Sequence, residues 1–188
     1  MEVLDCCAAP GGKSFAAAMA MAGQGSILSC DVHPHKITLI ENGAARLGIP
    51  NLSAQLQDAS AFVPDWEGAF DAVIVDAPCS GLGIIRKKPD IRYKNPKELA
   101  QLPLVQRAIL ENASGYVRPG GTLVYSTCTV LPEENEDVTG DFLDKHPEFE
   151  PVRTALPLPV GPCPGQVTLW PQRHGTDGFY ICRMRRKD

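Results

Sequence analysis

Short runs of apolar β-formers alternate with amphipathic stretches along this chain, the pattern of strand and helix units that build a largely parallel sheet. Glu2 to Cys7 reads as a buried first strand, and a helix rich in alanine and methionine follows from about Lys13 to Ala22, stopped by Gly23. Ser26 to Cys30 forms a second strand ending at Asp31. The spacing then predicts a helix from about His35 to Leu47, closed by Gly48 and Pro50. Leu52 to Leu56, Ala72 to Asp76 and Thr122 to Ser126 supply three more strands.

Between the last two lies a long insert. Its Arg86 to Arg92 stretch reads as loop, Leu102 to Val117 has helical spacing, and Pro119-Gly-Gly turns the chain into the fifth strand. A further helix is expected to begin near Pro132, because proline suits a first turn and Glu133, Glu134 and Glu136 suit its positive end. The proline-rich stretch Pro151 to Pro164 reads as loop. Val167 to Trp170 and Phe179 to Met184 are expected to close the fold as a hairpin of antiparallel edge strands, and the basic run Arg183 to Lys187 to end it as a solvated tail. No repeat or boundary divides residues 1–188, so one domain is expected. Its first strand starts at residue 2, which leads us to expect a core cut from something longer.

Composition narrows the function. The chain has 188 residues, 44% of them hydrophobic, and a net charge of −4, so any RNA contact must come from a local patch. No apolar run approaches the ~20 residues of a membrane span and no signal segment precedes the core, which makes a cytoplasmic enzyme the expectation. The seven cysteines, at 6, 7, 30, 79, 128, 163 and 182, include no C-x-x-C pair and none beside a histidine at zinc spacing. Neither a disulfide framework nor a metal site is expected. Oligomeric state is not legible.

Two cysteines stand apart. Cys6, Cys30 and Cys182 sit in apolar strands and read as small buried hydrophobes, and Cys163 lies among prolines. Cys79, in Asp76-Ala-Pro-Cys79-Ser-Gly, and Cys128, in Ser126-Thr-Cys128-Thr, occupy loops after strands, where chemistry is usually placed. A thiolate at Cys128 is favoured by the helix start expected just beyond it, and opposed by Glu133 and Glu134.

Asp5, Asp31, Asp58 and Asp76 fall at or just past strand ends, the ligand crevice of an open parallel sheet. Asp31 follows Gly12 by 19 residues, the position of a carboxylate that holds a ribose diol. Ala9-Pro-Gly-Gly-Lys13-Ser14 nearly matches a phosphate-cradling P-loop, yet Cys7 stands where its first glycine would be. A polyphosphate would meet three acids, and a nucleotide hydrolase leaves Cys79 and Cys128 unexplained. An adenosine ligand without a polyphosphate, carrying a positively charged sulfonium, removes the repulsion, so S-adenosyl-L-methionine is the inferred ligand. His33 and His35, around Pro34, read as turn residues.

Asp5-x-Cys7-Ala-Ala-Pro-Gly-Gly-Lys13, Asp76-Ala-Pro-Cys79-Ser-Gly-x-Gly83, Arg86-x-x-Pro-Asp-Ile91, Ser126-Thr-Cys128-Thr-x-x-Pro-Glu-Glu-Asn135 and Gly175-Thr-Asp-Gly-Phe179 occur in order. Together they resemble the RNA (cytosine-5)-methyltransferases of the Sun/NOL1/NOP2 family, especially the bacterial 16S ribosomal RNA enzymes. The resemblance implies an α/β, Rossmann-like class I S-adenosylmethionine-dependent methyltransferase, with a mostly parallel seven-stranded sheet and an antiparallel last strand. It also implies that Cys7, Ala8, Ala9, Pro10, Gly11, Gly12 and Lys13 line the cofactor, with Lys36 approaching it. Asp31 would hold the ribose, Asp58 lie by the adenine, and Asp76 lie by the methionine end and the target base, where it is the candidate catalytic acid near ring nitrogen 3. Cys128 corresponds to the nucleophile and Cys79 to the cysteine that assists product release.

The implied partner is RNA, ribosomal RNA foremost, with Arg86, Lys87, Lys88, Arg92 and Lys94 as the nearby basic stretch. The family's N-terminal RNA-binding region and small subdomain have no counterpart in this sequence, so it is expected to be the catalytic core. Two rivals make different predictions: a P-loop-like nucleotide hydrolase binding magnesium-ATP through Lys13, and a non-catalytic module on the same scaffold.

Overall fold

The computed structural model describes all 188 residues. Strands β1 (Glu2–Asp5), β2 (Ser26–Asp31), β3 (Leu52–Leu56), β4 (Phe70–Asp76) and β5 (Val117–Thr127) pair in parallel in the order β3-β2-β1-β4-β5. Helices α1 (Gly12–Ala20) and α2 (Pro34–Leu47) make the first crossovers. The insert after β4 carries α3 (Pro96–Leu99) and α4 (Leu102–Tyr116), and α5 (Glu136–Lys145) follows β5. Strand β6 (Phe149–Pro151) comes next, then a two-stranded ribbon of β7 (Thr154–Ala155) and β8 (Pro162–Cys163). The chain closes with β9 (Gln166–Leu169), α6 (Pro171–His174) and β10 (Phe179–Arg186).

Neighbouring residues of one strand serve opposite faces of the sheet, because side chains alternate. Leu4, Val73, Val75 and Leu123 pack with Ile109, Leu110, Val138 and Phe142 of α4 and α5. Val3 and Ile27 pack with Ala18 of α1, and Phe15 with Ile40 and Ala44 of α2. Burial on both faces explains why these strands read as continuous apolar runs. Phe15 is also why the loop before α1 needs glycine: Gly11 has φ +107°, and a Cβ there would lie 2.3 Å from the Phe15 ring.

The antiparallel closure differs from the pattern-based expectation in three ways. Strand β10 lies between β5 on one side and both β6 and β9 on the other, so it is interior and not an edge. Its basic end is part of the sheet: Met184 is fully buried between Arg183 and Arg185, and Arg186 donates to the Val117 carbonyl. That run is therefore no solvated tail. Strand β6, three residues ending at a proline, completes a seven-stranded path with β9 as an eighth strand beside it. So short a segment carries no alternation to read.

Pro119-Gly-Gly, expected as a turn before the fifth strand, is a bulge within β5. The register jumps from Phe70 opposite Val117 to Ala72 opposite Thr122, and Gly120 takes φ +73°. The helix expected from Pro132 starts as a single 3₁₀ turn, Pro132–Glu134, and resumes as α5 only after Asn135. Asn135 is turned out of the helix (φ −118°, ψ −97°) because its side chain accepts from the Thr127 hydroxyl at 2.6 Å and donates to the Thr129 carbonyl at 3.1 Å. The Arg86 to Arg92 stretch is irregular apart from part of a 3₁₀ turn at Pro89–Tyr93.

Candidate active site

The carboxyl ends of β1, β2, β4 and β5, with the segment after β3, enclose a cleft of about 340 Å³. Cys7, Ala9, Asp31, Lys36, Asp58, Asp76, Cys79 and Cys128 all line it, so most of the expected site residues converge. Ala8 and Gly11 are buried and do not line the cleft, and Pro10 and Gly12 are exposed at the loop surface. Lys13 reaches the site by its side chain, whose ammonium lies 2.5 Å from Asp76 Oδ2.

The four acids divide into separate tasks. Asp5 is fully buried, accepts from the Ser14 hydroxyl at 2.7 Å and does not line the cleft. Burial pushes its carboxyl up to about 6 against the pull of Ser14. Asp31 is nearly buried and takes the His33 amide (3.1 Å), the His33 ring (3.2 Å) and Lys36 Nζ (3.5 Å) on Oδ1, leaving Oδ2 without a protein partner. Asp58 folds back on Ser60, whose hydroxyl and amide hold its carboxyl below the usual range. Asp76 accepts on both oxygens, from Lys13 and from the Ser126 hydroxyl at 2.9 Å.

Cys79 and Cys128 meet where β4 and β5 end. Their sulfurs are 3.1 Å apart, and the Cys128 amide donates to Cys79 Sγ at 3.3 Å. Because Asp76 pairs with Ser126 across the sheet, both loops leave adjacent strands at one level. The Cys79 thiol, donating to its neighbour, lowers the Cys128 thiol from its ordinary value to about 7, with burial opposing and Lys13 assisting. Donating that proton and being buried push Cys79 the other way. The cause is therefore a second thiol, and not the helix start: α5 begins eight residues beyond Cys128 and is separated from it by the Asn135 break.

A buried network fixes the two loops. Glu134, 2% exposed, accepts from the Ser80 amide and from Gln106 Nε2, each at 2.9 Å, and its carbonyl accepts from Tyr125. Ser80 donates to the Thr129 hydroxyl at 2.8 Å, and Lys94 donates to the Ser80 carbonyl at 2.8 Å. Reading Glu134 as a helix-dipole residue missed this brace. Its signal was Gln106, a polar residue one turn before Ile109 and Leu110 on the buried stripe of α4. Cleft residues also missed include Val32, Gln57, Val105 and Ile109. His33, read as a turn residue, does precede α2 and also lines the cleft.

The donor set suits a cationic adenosine cofactor and disfavours a polyphosphate. Lys13, the P-loop lysine of the rival reading, is paired with Asp76, and Asp31, Asp58 and Asp76 share the cleft. A parallel sheet closed by one antiparallel strand, with a glycine loop after β1 and a carboxylate closing β2, defines an S-adenosylmethionine-dependent methyltransferase of the class I fold. The chain matches the family described as 16S rRNA methyltransferase RsmB/F over residues 1–185, and it belongs to that family.

It is 46% identical to the probable ribosomal RNA small subunit methyltransferase B of Bacillus subtilis over 98% of its own length and 43% of that protein's. The structure of PH0851 superposes with a TM-score of 0.90 at 35% identity, over 98% of this chain and 42% of that one. NSun6 from Pyrococcus horikoshii, solved with SFG, gives 0.79 at 27%, over 99% of this chain and 48% of that one. The chain thus spans less than half the length of these relatives.

Proposed function

We propose that the protein methylates carbon 5 of a cytosine in RNA, with small-subunit ribosomal RNA as its substrate, through a covalent adduct at Cys128. The observation that carries this reading is the pair of thiols 3.1 Å apart at the end of the cleft, one of them biased toward thiolate. Cytosine carbon 5 is a weak nucleophile. A thiolate that adds to carbon 6 pushes the ring electrons toward carbon 5, dividing one hard step into two easier ones.

Charge that develops at ring nitrogen 3 needs a proton, and the Lys13 ammonium, positioned by Asp76, is the donor beside the cysteines. Cys79 then assists loss of the carbon 5 proton and elimination of Cys128. S-adenosylmethionine supplies the methyl group when bound. Asp31 Oδ2 is the free acceptor for its ribose, the loop from Cys7 to Lys13 and Lys36 border it, and Asp58 stands at its adenine end.

Residues 1–188 act here as one catalytic domain, with RNA-binding parts supplied by the rest of a longer protein, in keeping with the length of its relatives. Of the exposed basic residues that contact RNA, Lys88 and Arg92 carry no ion pair, Arg92 lying 5.9 Å from the centre of the Tyr93 ring. Arg86 and Lys87 are shared with Asp177.

The test uses the full-length gene product with S-adenosylmethionine and RNA. Cys128→Ala is expected to abolish methyl transfer, whereas Cys79→Ala should leave a protein-RNA adduct that survives a denaturing gel. Full activity in Cys128→Ala would overturn the mechanism, and absence of any transfer would favour the non-catalytic reading.

A further inference from the structure

A second cleft, of about 330 Å³, lies on the other side of the loop that follows Cys79. Ile85, Val130, Trp170 and Pro171 form its apolar walls, and Gly83 and Asp177 also line it. It is built on the same backbone as the thiols. The Gly83 amide donates to the Cys128 carbonyl at 3.0 Å, and the Gly178 amide donates to the Gly83 carbonyl at 2.8 Å. The approach is so close that a Cβ on Gly83 would fall 2.0 Å from the Gly178 carbonyl oxygen and 2.8 Å from that of Cys128.

The polar group here is unusual. The Asp177 side chain is 9% exposed, its Oδ2 pairs with Lys87 at 2.5 Å, and its Oδ1 is buried without a hydrogen-bond partner. The nearest cation to Oδ1 is Arg86, at 3.6 Å and 74% exposed. A buried carboxylate oxygen that faces a cation at 3.6 Å but accepts no hydrogen bond costs free energy that a ligand N–H recovers. Apolar walls that include a half-buried tryptophan, one acceptor at depth and a guanidinium at the rim together match a nucleobase with its phosphate.

We propose that this cleft takes the base of a nucleotide adjacent to the target cytosine in the RNA chain. The base packs against Trp170, donates an N–H to Asp177 Oδ1, and leaves its phosphate to Arg86. This rests on the RNA-methylation reading above and deepens it. Extruding a cytosine to reach the thiols strips its neighbour of stacking, and a surface continuous with the Cys128 loop is where that neighbour recovers it.

The experiment measures KM for methylation by the full-length gene product on synthetic RNAs with one target cytosine. Each neighbour in turn is guanosine, purine riboside, which lacks the N–H donors, or an abasic site. The native protein is expected to show a KM raised about tenfold by an abasic site on one side only, with purine riboside intermediate, consistent with roughly 1–3 kcal/mol per stacked base. Trp170→Ala should raise KM for the base-bearing RNAs to the abasic level and leave the abasic RNA unchanged. Asp177→Asn should narrow the gap between guanosine and purine riboside. Indifference of the native protein to both neighbours, or an equal effect of Trp170→Ala on every RNA, overturns the subsite and leaves the methylation reading standing. Failure to methylate any of these RNAs overturns both.

Discussion

At the scale of single residues, the site is governed by who holds a proton. In the proposed mechanism Cys128 attacks as thiolate, so its lowered value would set the acid limb of the reaction. Single-turnover methyl transfer is expected to rise about tenfold per pH unit below about 7 and to level off above it. In Cys79→Ala the donated S–H is gone, so the same limb should move to higher pH. An unchanged limb would mean that another group sets the reactivity. The two cysteines were legible because both stand in loops just past apolar strands, among Ser and Thr. The cause of the depressed value was not, since a sulfur 49 residues away is invisible until β4 and β5 are paired in register.

Elements show the same division between local pattern and tertiary contact. Helices α2 and α4 were readable almost to their ends, because proline at the start of each and glycine after α2 act locally. The break before α5 was not, because it comes from Asn135 bonding to Thr127 and Thr129. Past its other end, α5 is fastened by His146, whose ring lies 3.0 Å from both Glu111 of α4 and Glu148, just before β6. Burial pulls this imidazole down, but the two carboxylates outweigh it and raise its pKa. A His with a raised folded value contributes stability that is full below its unfolded pKa of about 6.5 and lost as pH climbs through the folded one. His146→Gln should therefore destabilise by about 1 kcal/mol at pH 5.5 and by much less at pH 9, as read from urea midpoints. A loss that is equal at both pH values would assign the residue to packing on Phe142 alone.

The molecule as a whole depends on strand β10. Strand β10 supplies the hydrogen-bonding partner of β5, β6 and β9 together, and buries Tyr180, Cys182 and Met184. A chain ending at Gly178 is expected to show no cooperative thermal transition by circular dichroism, because β6 and β9 lose their only pairing and β5 one of its two; a sharp melt would show that β1 to β5 stand alone. The five parallel strands were legible from their apolar runs, whereas the interior place of β10 was hidden by its arginines, which alternate with buried side chains. One feature reaches beyond stability. Neighbouring strands lie ~4.8 Å apart, and Asp76 and Ser126 start both cysteine loops from one rung of that ladder. In the proposed mechanism the sheet thus serves as a ruler, launching from one rung the thiol that makes a bond and the thiol that helps to undo it, so that their sulfurs meet 3.1 Å apart.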